Sequence, residues 1–275
     1  MHRDHTLRLH GSRFHYTEWG APSTPPVVML HGVTGHARTW DDEARALADR
    51  YRVLALDQRG HGDSDPAPEG DYSTNALVDD LAAFVETLAL PPIRLVGLSL
   101  GGRVAIAFAA RHEAAVERLV VVDIGPELAP AGVGRVGMLM GGSPERFASM
   151  EEALAYTRSA NPRYQDAALR HRVQHAVRRL SDGGYAWKYD RAIRDAVRTG
   201  RWRDGLDLWP LWKAVACPTL LVRGADSDIL SADIARRMLA SQPRARLVEV
   251  AGAGHTVPGD RPAEFLAVLR EFLDT

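Results

Sequence analysis

Short apolar runs alternate with helical patterns through the first 122 residues. Val27–Leu30, Val53–Leu56, Ile93–Val96 and Leu119–Val122 are mostly apolar, with no polar face. Runs of this kind predict strands buried on both sides of a parallel sheet. Between the second and third, Ser73 to Leu90 carries Leu77, Leu81, Val85 and Leu88 at helical spacing behind a capping serine. Ala105–Arg111 predicts another helix. Alternating strand and helix implies right-handed crossovers, hence an α/β fold with a doubly wound, mostly parallel sheet. The first pieces, Thr6–Leu9 and Phe14–Trp19, predict an antiparallel hairpin at its edge.

The pattern breaks after Asp123. Residues 127–213 carry scattered glycine and proline, and amphipathic helices are predicted over Glu151–Ser159 and Gln165–Leu180. They also hold four of the six tryptophans (Trp187, Trp202, Trp209, Trp212), and no strand alternation is visible. At Cys217 the earlier rhythm resumes. Strands are predicted at Thr219–Val222 and Arg246–Val250, helices at Ala232–Ala240 and Pro262–Leu273. The chain therefore reads as an α/β core, 1–126 and 214–275, interrupted by a helical insertion, 127–213.

Composition narrows the class without naming a chemistry. The 275 residues are 45% hydrophobic and 25% charged, which suits a globular protein and excludes disordered or fibrous ones. A net charge of -1 argues against nucleic acid or an anionic membrane as the main partner. The single cysteine, Cys217, cannot form an internal disulfide and predicts a buried, inert thiol. Met1–Tyr16 is polar and His-rich with no apolar signal region, and no stretch approaches the ~18 apolar residues of a spanning helix. A cytoplasmic protein acting on small molecules is expected, and its oligomeric state is not encoded legibly. All the basic residues but Lys188 and Lys213 are arginine.

Chemistry concentrates in three glycine-flanked turns, each directly after a predicted strand. Gly97-Leu98-Ser99-Leu100-Gly101 has the form and setting of a nucleophile elbow, a tight strand–helix turn that exposes the serine hydroxyl above the sheet. His31-Gly32-Val33-Thr34-Gly35 places a backbone N–H where it can face that serine, so Val33 and Leu100 are the expected oxyanion donors, with His31 stabilising the turn. Gly252-Ala253-Gly254-His255-Thr256 offers an imidazole that can take the serine proton. His2, His5, His10 and His15 are expected on the surface. His171 and His175 have the i, i+4 spacing of metal ligands, but no third ligand is apparent, so they predict a solvated face and no metal site.

With His31-Gly32, Trp40, the segment Asp57-Gln58-Arg59-Gly60-His61-Gly62-Asp63-Ser64, the Ser99 elbow and Gly254-His255 in place, the chain resembles an α/β-hydrolase of the serine-hydrolase type over nearly its whole length. The resemblance implies that Asp57–Ser64 is a structural turn in which Asp57 and Arg59 can pair. It also implies a catalytic acid between Ser99 and His255 in chain order. In most relatives that acid lies three residues after the glycine ending the penultimate strand, which here is Ser227, flanked by Asp226 and Asp228. A subset of esterases places it after the earlier strand in an Asp-Ile-x-Pro segment, matched by Asp123-Ile124-Gly125-Pro126, with serine at the vacated position. Asp123 is favoured, Asp228 is the alternative, and Asp226 ranks last.

The implied activity is cleavage of carboxylic esters or lactones through an acyl-enzyme, without cofactor or metal, under a lid formed by 127–213. Met138, Met140, Trp187, Tyr189 and Trp209 would suit an apolar substrate group. The same three residues also serve carbon–carbon bond hydrolases, amidases and perhydrolases, and a silent ligand receptor could share the fold. Haloalkane dehalogenases and epoxide hydrolases carry aspartate where Ser99 stands and are disfavoured.

Overall fold

The computed structural model describes residues 2–199 and 205–275. Trp202 and the side chain of Met138 lie outside the described residues. In chain order the first strands are β1 (Arg3–Leu9), β2 (Ser12–Trp19), β3 (Pro26–Leu30), β4 (Arg52–Leu56), β5 (Ile93–Leu98) and β6 (Val116–Val122). Three short ones follow, β7 (Arg146–Phe147), β8 (Val177–Arg179) and β9 (Tyr185–Trp187), then β10 (Thr219–Gly224) and β11 (Ala245–Val250). Eight of them form one sheet in the order β1-β2-β4-β3-β5-β6-β10-β11. The β1–β2 hairpin joins antiparallel at one edge, and every pairing from β4 to β11 is parallel.

Helices cover both faces. On one side lie α2 (Thr74–Thr87), α3 (Leu100–Arg111), α8 (Leu208–Ala214) and α9 (Ala232–Ser241), against Val28, Leu30, Leu95, Leu119 and Val121. On the other lie α1 (Asp41–Leu47), α10 (Val257–Asp260) and α11 (Pro262–Leu273), against Val27, Met29, Val96, Val120 and Val122. Neighbouring residues of the central strands thus feed opposite cores, which is why those strands are mostly apolar. Ser73 caps α2, its hydroxyl accepting from Ala76 N at 3.3 Å.

The connection between the adjacent strands β6 and β10 carries α4 (Pro130–Gly141), α5 (Met150–Ala160), α6 (Asp166–Ala176), α7 (Arg191–Arg198) and α8. It also contains β7, β9 and β8 as a second sheet. This corrects the expectation of an all-helical stretch. The helix predicted over Gln165–Leu180 ends at Ala176, and the chain continues as β8, pairing with β9 across a turn in which Gly183 has φ 89°. Strands of two or three residues are too short to show an alternating pattern. Leu208 and Trp212 of α8 are fully buried in the main core, with Trp212 Nε1 donating to Met238 O at 2.9 Å. No helix among the described residues is long and apolar enough to cross a membrane.

The topology dictates where a site can form. From β3 the chain moves to β4 on one side, then crosses back to β5 on the other. Ligands of open α/β sheets bind at such a reversal, beyond the carboxyl ends of the strands. The loops after β3 and β5 meet there.

Candidate active site

Ser99 occupies the single residue between β5 and α3, with φ 53° and ψ -114°. That conformation is strained for a residue with a side chain and persists only where the surroundings enforce it. Two glycines enforce it here. A Cβ on Gly97 would lie 2.3 Å from Gly101 O, and one on Gly101 would lie 2.3 Å from Leu30 O. Ser99 N donates to Val122 O at 3.0 Å and Gly101 N to His31 O at 3.1 Å, tying the turn to both neighbouring strand ends.

The loop after β3 turns back on itself through a hydrogen bond from Gly35 N to Gly32 O, 2.9 Å, with Thr34 at φ 63°. His31 is fully buried, and burial with the neighbouring His61 pushes its imidazole down to about 3, so it stays neutral. Its Nδ1–H donates to Gly32 O at 2.8 Å, and its Nε2 accepts from Gln58 N at 3.1 Å. His31 therefore braces the turn that carries Val33. Among the described residues, neither the Val33 N–H nor the Leu100 N–H has an acceptor. Val33 and Ser99 together line both cavities above the sheet.

His255 follows β11, with its side chain 15% exposed. Its loop is pinned by Asp260, whose carboxylate accepts from Gly254 N at 2.8 Å and from Thr256 Oγ1 at 3.2 Å. The loop also crosses β10 so closely that a Cβ on Gly224 would lie 2.0 Å from Gly254 O. His255 Nδ1 donates to Asp123 Oδ2 at 2.9 Å. Asp123, at φ 50° on the end of β6, is fully buried. Its Oδ1 accepts from Gly224 N at 2.9 Å, and its Oδ2 also accepts from Ser227 Oγ. Burial pushes this carboxyl up, while the His255, Ser227 and Gly224 hydrogen bonds pull the other way. With Nδ1 donating, Nε2 is the basic nitrogen of His255, and His255 and Ser99 line the same small cavity.

The two alternative acids are engaged elsewhere. Asp228 pairs with Arg135 at 2.9 Å and Asp226 faces Arg163 at 3.6 Å. Ser227, standing between them, holds Asp123 and accepts from Ile229 N and Leu230 N at 3.1 and 3.2 Å. Four further expectations are corrected. Asp57 and Arg59 do not pair: Asp57 meets His15 at 2.7 Å and Arg59 meets Asp80 at 2.5 Å. His15 is accordingly buried and not on the surface. Trp209 lines neither cavity, since its indole donates to Glu127 at 2.7 Å and stacks under Arg237. His171 and His175 do have a third ligand-capable neighbour, Asp41.

The larger cavity, about 510 Å³, is bounded by Leu77, Ile124, Leu128 and Ile193 and also by the charged side chains of Glu69, Asp71, Arg103 and Asp195. The smaller, about 150 Å³, contains His255 with Arg135, Arg172, Asn161 and Trp187. Ser99 stands at their junction.

Residues 25–262 match the family model of the alpha/beta hydrolase fold. The chain belongs to this family. This α/β hydrolase is 34% identical to esterase Rv0045c of Mycobacterium tuberculosis over 94% of its own length and 85% of that protein. It is 31% identical to a 3-hydroxybutyrate-oligomer hydrolase of Cupriavidus necator, over 94% of its length and 92% of the relative. The solved structure of E-2-(acetamidomethylene)succinate hydrolase superposes with a TM-score of 0.92 at 28% identity, covering 100% of both chains. The relatives place hydrolase chemistry on this fold.

Sequence reasoning about this hydrolase missed Asp260 as the brace of the His255 loop, although its place five residues beyond the histidine was visible. Asp41 had no local signal, because it meets α6 only through the fold.

Proposed function

We propose that the protein is a serine hydrolase of carboxylic esters that works through an acyl-enzyme. The observation that carries this reading is the buried Asp123 carboxylate on His255 Nδ1, in a site shared with a strained, glycine-locked Ser99. Ser99 Oγ attacks the ester carbonyl while its proton passes to His255 Nε2. Asp123 holds the imidazole in the required tautomer and stabilises the imidazolium. The oxyanion that forms takes hydrogen bonds from the Val33 and Leu100 amides. Collapse expels the alcohol, protonated by His255. A water deprotonated by the same nitrogen then attacks the acyl carbon, releasing the acid and restoring Ser99.

The two cavities suggest how a substrate is divided. The leaving oxygen must face His255, so the alcohol portion lies in the smaller cavity, which His255 lines. The acyl chain then occupies the larger one along its Leu77, Ile124, Leu128 and Ile193 wall, which takes a medium-length or branched group. Residues 127–213 act as the lid, contributing Met140, Trp187, Tyr189 and Ile193 to the walls.

The test is Ser99→Ala assayed on p-nitrophenyl butyrate. Turnover should be lost while the circular dichroism spectrum and melting temperature stay those of the parent. Parent-rate hydrolysis by the variant would overturn the mechanism. A panel of p-nitrophenyl esters should show higher kcat/KM for medium acyl chains than for acetate.

A further inference from the structure

Away from both cavities, three side chains from distant parts of the chain converge. Asp41, in the first turn of α1, meets His171 and His175, one turn apart on α6, and the three bring one ligand atom each within 4.8 Å of one another. Asp41 is buried, its side chain only 4% exposed. Its Oδ2 accepts from His171 Nε2 at 2.9 Å and lies 3.5 Å from Arg38 Nε. Its Oδ1 is buried and accepts from no described residue. Buried carboxylate oxygens are nearly always hydrogen-bonded, so an unpartnered one beside two imidazoles is an acceptor suited to a cation. His175 hydrogen-bonds to no described residue, its ring centroid 4.7 Å from that of His171. Burial and the Arg38 charge lower its pKa.

We propose that Asp41, His171 and His175 form a binding site for one divalent transition-metal ion of the zinc class. Two histidines at i, i+4 on one helix face with a carboxylate from elsewhere supply a mixed nitrogen and oxygen donor set, which suits zinc and its neighbours. Magnesium and calcium require mostly oxygen and are excluded by the two imidazoles. Tetrahedral ligation places ligand atoms roughly 3.3 Å apart, so rotation of the side chains closes the set around an ion. Because Arg38 competes for Oδ2, Oδ1 is the oxygen turned to the metal. Binding displaces the His171 Nε2 proton, so affinity falls in acid. Other charges around the pair are Asp42 and Lys188, on α1 and beyond β9.

The site joins α6 to the core, and Arg172, Val173 and Ala176 of the same helix line the smaller cavity. A bound ion therefore fixes one wall of the cavity from behind without touching Ser99 or His255.

Isothermal titration of chelator-treated, full-length protein with zinc chloride tests this, together with thermal melts with and without zinc. One site is expected, with a zinc-dependent rise in melting temperature that magnesium does not reproduce. His175→Ala and Asp41→Asn should each weaken zinc binding at least roughly tenfold and abolish the rise. His175→Ala removes a half-buried ring with no hydrogen bond, and a zinc-free melt at the parent temperature shows that it folds. The proposal is overturned if the parent binds no zinc, or if His175→Ala binds it as tightly as the parent.

Discussion

The Asp123 carboxylate accepts three hydrogen bonds in a fully buried position, two from Gly224 and Ser227 at the end of β10 and one from His255 after β11. Asparagine there would turn an amide toward His255, forcing the proton onto Nε2 and removing the base. Asp123→Asn should lower kcat on p-nitrophenyl butyrate by roughly three to four orders of magnitude, whereas Asp228→Asn should stay within about a few-fold of the parent. Equal losses for the two would contradict the assignment. The sequence offers both candidates and favours Asp123 only through the family resemblance, because the choice rests on which carboxylate the fold buries beneath His255. His15 was misjudged for the same reason: nothing local shows that β2 faces Asp57. A second prediction concerns Glu43, fully buried on α1 and pushed up to about 8, chiefly by burial. Its folded pKa lies above the unfolded one, so the stability it contributes is complete below about pH 4 and is lost as pH rises toward 8. Glu43→Gln should melt with the parent at pH 4.5 and exceed it by about 4 °C at pH 8, on the order of 2 kcal/mol. An unchanged gap across that range would show that Glu43 ionises freely.

Elements differed in how legible they were, according to length and burial. Strands buried on two faces announce themselves as unbroken apolar runs, and β3 to β6 and β10 are readable on that ground, whereas the edge strand β11 carries exposed Arg246 and Glu249. The second sheet was not, since β7 to β9 have two or three residues each and take their pairing from the fold. The turn from β5 to α3 was readable because its backbone demands glycine. Gly101→Ala, whose Cβ would meet Leu30 O at 2.3 Å, should cost about 2–4 kcal/mol in urea unfolding and displace Ser99. A variant as stable and active as the parent would show that the turn relaxes freely.

At the scale of the whole molecule, the seam between 127–213 and the rest combines the apolar packing of α8 with specific polar contacts. Tyr72 OH donates to Asp190, Asp190 N donates to Gly60 O at 2.7 Å, and His36 Nε2 donates to Arg172 O at 3.0 Å. Lys188 Nζ donates to Asp63 at 2.8 Å. Hydrogen bonds to charged groups contribute about 1.5–3 kcal/mol where solvent is excluded. A double-mutant cycle of Tyr72→Phe and Asp190→Asn should therefore give a coupling of at least about 1 kcal/mol in urea unfolding. Zero coupling would mean that this contact does not hold the seam. None of these pairs was legible in the sequence, where the partners lie far apart and carry no common motif.

The Lys188 contact has a practical consequence. Lys188 and Lys213 are the two lysines of the chain, and both fall in 127–213. A lysine-specific endoprotease therefore has two bonds to cut, and the first lies beside a residue clasped to Asp63. Cleavage after Lys188 requires that clasp to part. Digestion of the native protein would then yield two or three discrete fragments in place of a ladder, and the rate at which the 1–188 fragment accumulates would clock the opening of the seam.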